Sequence, residues 1–69
     1  MALRFVKHFS HGVVQARVYR DVEWDEYRVK LYINGVYEET ADYHTDDKHD
    51  AIQTADVMAM NANIRKMQS

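Results

Sequence analysis

Apolar and polar residues alternate with a period of two through the first half of the chain, then switch to the period of a helix. In Leu3–Phe9, Leu3, Phe5 and Phe9 share one face, Arg4 and His8 the other, and Val6 falls between them. Ser10-His11-Gly12 reads as a turn, glycine supplying a backbone angle that other residues avoid. Val13–Arg20 sets Val14, Ala16 and Val18 against Gln15, Arg17 and Tyr19. Asp21–Asp25 is an acidic connection holding the single Trp. Glu26–Asn34 is the clearest strand, with Tyr27, Val29, Leu31 and Ile33 opposed to Arg28, Lys30 and Tyr32. Asn34-Gly35 then signals a two-residue hairpin turn, because both of its positions need positive φ. That turn sets Ile33 opposite Val36, Tyr32 opposite Tyr37, Leu31 opposite Glu38 and Lys30 opposite Glu39.

Asp47–Met67 is rich in Ala, Met, Gln and Lys, all good helix formers. Thr45, Asp46 or Asp47 can cap it, and Asp46, Asp47 and Asp50 suit the positive end of its dipole, as Arg65 and Lys66 suit the negative end. The predicted architecture is α+β: a four-stranded antiparallel sheet followed by one C-terminal helix packed on one face, ββββα, forming a single domain over residues 1–69. Two apolar stripes run along the helix. Ala51, Ile52, Ala55, Met58, Ala59 and Ala62 form one, small enough to lie close to a sheet. Val57, Met60, Ile64 and Met67 form the other. At 100° per residue Val57 lies about 200° round from Ala55, so one sheet cannot cover both. Self-association through the second stripe is favoured over a helix broken near Asn61–Asn63 or a stripe simply left exposed.

The composition makes that second stripe matter more. A chain of 69 residues without cysteine has no disulfides and no thiol nucleophile. A domain this small buries only about 60% of its unfolded surface, so it depends on very good packing or a partner subunit. The N-terminus lacks the apolar core of a signal peptide, and no run approaches the roughly 20 residues of a membrane span. The expectation is a soluble cytoplasmic protein with no membrane partner. Net charge is −2, divided as six Lys/Arg and four Asp/Glu in residues 1–35 against three and seven in residues 36–69.

Candidate chemistry is sparse. His44, Asp46, His49 and Asp50 are metal-ligand types, but the His spacing fits no zinc pattern and Lys48 opposes a cation, so no metal or other cofactor is expected. Ser10 beside His11 is no triad, and Glu38-Glu39 alternate across strand faces. No catalytic residue is assigned, and the chain is not expected to be an enzyme. Two binding surfaces remain. Glu38, Glu39, Asp42, Tyr43, Asp46, Asp47 and Asp50 would present negative charge to a basic protein surface, with Trp24 and Tyr37 as anchors. Alternatively Arg17, Tyr19, Arg28, Lys30 and Tyr32, with Tyr37, fall on the open sheet face and interleave aromatics with cations, as nucleic-acid binders do. A pI near 6.0 and the expected Lys30–Glu39 pair weigh against the second.

The hairpin YRVKLYINGVY followed by ADYHTDDKHDAIQTA, within Glu26–Ala59, resembles small proteins encoded by tailed phages, marine ones in particular. The order of strands and acidic-capped helix is also similar to that of some small anti-CRISPR proteins. The resemblance implies a phage accessory protein that binds a host protein or complex stoichiometrically and inhibits or modulates it. Nucleic-acid binding on the sheet face is the alternative, and a structural virion component a further one.

Overall fold

The computed structural model describes residues 3–68, with side chains described through Arg65. Strands β1 (Leu3–His11), β2 (Val14–Asp21), β3 (Glu26–Ile33) and β4 (Val36–Thr45) form a meander in the order β1-β2-β3-β4, each antiparallel to its neighbour. Helix α1 (Lys48–Gln68) lies across one face, chiefly over β2 and β3. The α+β expectation and the ββββα order are therefore correct.

Each element follows from its local chemistry. Asn34 (φ 53°) and Gly35 (φ 80°) make the expected hairpin turn. Gly12 (φ 59°) turns the chain between β1 and β2, where the strand runs through His11 and the turn falls on Gly12-Val13. Asp47 caps α1, its Oδ1 accepting the His49 and Asp50 N–H groups at 2.9 and 3.3 Å. The helix runs unbroken past Asn61–Asn63, which removes the broken-helix alternative.

The core joins Val14, Ala16, Val18, Val29 and Leu31 of β2 and β3 to Ala51, Ala55 and Ala59 of α1. Val14, Val18 and Val29 are its largest fully buried side chains, each contributing about 1.5–3 kcal/mol through burial. The alanines sit four residues apart on one helix face, where lack of bulk lets the helix lie close to the sheet. Met58 and Ala62 pack at the margin of this core, as the first stripe requires. Val57, Met60 and Ile64 point away, at 47%, 43% and 44% exposure. The side chain of Met67 lies outside the described residues.

The central strands pair in unbroken register from Val14↔Ile33 to Asp21↔Glu26, and both edge strands are irregular. In β1, Val6 is an extra residue: Phe5 pairs with Tyr19, but Lys7 pairs with Val18. The bulge puts Val6 and Phe9 against the core and sends Phe5 to the open face at 57% exposure. The expectation that Phe5 and Phe9 share a face is thus overturned. In β4 the hairpin register holds for Ile33↔Val36, Tyr32↔Tyr37 and Leu31↔Glu38, then shifts to Val29↔Tyr43. The Lys30–Glu39 pairing is lost as a result. Continued register would turn Thr40 and Asp42 towards the helix. The odd-numbered shift instead brings Ala41 and Tyr43 to the core.

Candidate functional site

With α1 on one side, no element among the described residues covers the other face of the sheet, and the residues expected there arrive on it. Arg17 and Tyr19 come from β2, Arg28, Lys30 and Tyr32 from β3, and Tyr37 from β4. The Val6 bulge adds Phe5 beside His8, whose ring centroid lies 5.9 Å from its own, and Phe5 meets Tyr19 edge-on at 5.9 Å and 71°. Sequence reasoning put Phe5 on the face of Phe9 and so missed it here. Its only signal was Val6 breaking the alternation.

A row of cations and rings crosses the middle of this face. The Arg17 guanidinium lies 4.5 Å from the centroid of Tyr32, Tyr32 and Tyr37 stand 5.4 Å apart at 42°, and Lys30 Nζ lies 4.9 Å from the Tyr37 ring. Lys30 Nζ also donates to the Tyr37 hydroxyl at 3.5 Å. Tyr37 in turn donates to Asp42 Oδ2. That bond, with the charge of Asp42, pushes the Tyr37 phenol up to about 12. A hydrogen bond to Tyr19 contributes most to holding the Arg17 guanidinium above its ordinary value. Arg28 is committed elsewhere: its Nη2 lies 3.1 Å from both Asp21 Oδ2 and Glu26 Oε1. Its Nε is buried with no hydrogen-bond partner among the described residues.

The acidic residues are distributed rather than gathered. Asp42 is on the open face with Tyr37, and Glu38, opposite Leu31, is half-buried on the helix side. Glu39 is exposed in the irregular stretch of β4. Asp46 is exposed in the corner before α1, and Asp47 is engaged as the helix cap. Asp50, on the first turn of α1, accepts the Tyr43 hydroxyl at 2.5 Å and that of Thr54 at 3.4 Å. Tyr43 holds the Asp50 carboxyl below its ordinary value, and Asp50 holds the Tyr43 phenol above its own. Trp24, 72% exposed, occupies the β2–β3 turn. Tyr37 is beside the hairpin turn at the opposite end of the sheet, on the order of 20 Å away by strand rise.

Among the described residues no three His, Asp or Glu side chains converge as a metal site, and no helix is long and apolar enough to cross a membrane. These features define a small α+β domain with one covered and one uncovered sheet face. No protein-family model, curated protein or solved structure matches this chain.

Proposed function

We propose that this chain is a non-catalytic binding domain, a phage-type accessory protein of the host cytoplasm that occupies the surface of a host protein and inhibits or modulates it. The observation that carries the reading is the bare sheet face, where Phe5, Tyr19, Tyr32 and Tyr37 are fixed beside Arg17 on neighbouring strands. Tyr and Arg dominate binding energy where interfaces exclude water, and side chains already held by one another lose little entropy on docking. This face takes over the anchoring role from the dispersed acidic residues. Exposed Glu39 and Asp46 are left to steer approach to a basic surface. A second copy of the chain belongs to the same proposal, seated on Val57, Met60 and Ile64.

Capture of a host protein by the tagged chain tests the anchoring role. Phe5→Ala with Tyr37→Ala should weaken capture at least about tenfold, since each removes an aromatic contact. Asp46→Lys should alter chiefly the association rate and its salt dependence. Capture unchanged by the double alanine variant would reject the sheet face. Nucleic-acid binding is the second reading, favoured by the Arg17–Tyr32–Tyr37–Lys30 row. Capture abolished by nuclease would select it, and recovery of the chain in purified particles would select a virion role.

A further inference from the structure

Arg17 differs from Arg20 and Arg28 in what surrounds it. Arg20 Nη2 lies 2.5 Å from Asp25 Oδ1, and Arg28 is shared by Asp21 and Glu26. Arg17 meets only neutral groups: its Nε donates to Gln15 Oε1 at 2.8 Å, its guanidinium lies on Tyr32, and Tyr19 completes the set. Among the described residues no carboxylate pairs with it. The cation is therefore held in place while its charge stays uncompensated.

It is also beside a groove. A depression of about 450 Å³ opens on this side of the sheet, lined by Ser10, Gly12, Gln15, Arg17, Tyr32 and Gly35 among others. The two turns at its end are joined by the Asn34 N–H, which donates to the Val13 carbonyl at 2.9 Å. Gly35 adds no side chain to close it. A planar guanidinium supported on a ring, with no internal counter-ion, is suited to meet an incoming anion edge-on and in two-point fashion.

We propose that this groove is an anion-recognition subsite in which Arg17 takes a carboxylate from an acidic segment of the partner protein; this rests on the protein-binding reading above. Charge complementarity names the occupant. A stacked base fits less well, because the guanidinium covers Tyr32, whose ring also packs against Tyr37 at 42°. A polynucleotide would there lose the stacking that sequence-tolerant single-strand binders rely on.

The test is an NMR titration of the full ¹⁵N-labelled chain with hexaglutamate and, separately, with hexathymidylate, following Arg17 Nε–H and the Gly12 and Gln15 amides. Hexaglutamate should shift these signals saturably. Arg17→Lys, which keeps the charge and loses the fork, should weaken binding about tenfold, and Arg17→Gln should abolish it. An unchanged amide spectrum away from the groove verifies that the variants are folded. No shift at millimolar hexaglutamate, or a response indifferent to Arg17→Gln, overturns the proposal. Tighter binding of hexathymidylate at Arg17 overturns it in favour of a phosphodiester. If hexaglutamate fails while Phe5→Ala with Tyr37→Ala still releases the captured protein, only this subsite falls. If both fail, the protein-binding reading falls with it.

Discussion

Gly12 carries one constraint that Gly35 does not. Both lie at positive φ, but a Cβ on Gly12 would stand 2.1 Å from Asn63 Oδ1, whereas nothing lies within 4 Å of one on Gly35. Gly35→Ala should therefore cost about 1–2 kcal/mol from backbone strain alone. Gly12→Ala should exceed that by about 1 kcal/mol or more, because the Asn63 amide must be displaced from the turn on which the helix docks. Urea unfolding of the two variants compares them directly, and equal losses would contradict the Asn63 contact. Tyr43 and Asp50 make a second residue-scale case. The Asp50 carboxyl titrates below its ordinary 3.8, so its contribution to stability is present above that value and is lost as pH falls through the lowered one. The Tyr43 phenol is raised above its ordinary 10.0, so its contribution is intact below pH 10.0 and is lost as pH climbs beyond it. Tyr43→Phe should move the Asp50 titration upward and bring acid unfolding to higher pH. A carboxyl NMR titration showing Asp50 unmoved would refute the pairing.

Among the elements, the turn between β2 and β3 depends on Asp21, which is 3% exposed at the end of β2. Its Oδ1 accepts the N–H groups of Glu23 and Trp24 at 3.1 and 3.3 Å, and its Oδ2 pairs with Arg28. Asp21→Ala frees a turn and leaves a guanidinium to its other partner, Glu26. It should cost about 2 kcal/mol, towards the low side for a buried pair because Arg28 is partly exposed. A thermal-unfolding loss no larger than that of a surface alanine substitution would show the carboxylate to be dispensable. The sequence placed Asp21 in an acidic connection without distinguishing it from Glu23 and Asp25. Burial separates them, and burial depends on how the sheet closes round Arg28. The two irregular edge strands teach the same lesson. Val6 is an ordinary strand residue, and nothing in the spelling of Glu39–Asp42 marks a three-residue shift. Each was decided by what the core accepts opposite Val18 and Val29. Bulged edges also leave less regular backbone for another sheet to pair with.

For the whole molecule, one helix serves two surfaces. Its alanine face is matched to the sheet, while Val57, Met60 and Ile64 remain exposed on the far side of an unbroken helix. Ile64→Glu would place charge in that stripe without touching the core. If a second copy seats there, sedimentation should show the parent chain above its 8.2 kDa monomer mass at high micromolar concentration and the variant at it. A monomer in both cases removes the self-association proposal. His11 Nε2 meets Asp56 Oδ1 at 2.9 Å and ties the end of β1 to the middle of the helix, a long-range link that no local pattern announces.

The sequence by itself determined the strand–strand–strand–strand–helix order, the Asn34-Gly35 hairpin, the capped acidic start of α1 (with Thr45, Asp46 and Asp47 all eligible) and its alanine face. All of these follow from local backbone preference or from a period readable within one element. It also placed Arg17, Tyr19, Lys30, Tyr32 and Tyr37 on one face, because strand alternation survives wherever register is unbroken. Only the tertiary structure brought Phe5 to that face, separated Lys30 from Glu39, spread the acidic residues over both sides and left Arg17 without a counter-ion among the described residues. The first two share one physical reason. A strand's faces are exchanged by inserting an odd number of residues, and that insertion is selected by packing against a helix tens of residues away in the chain.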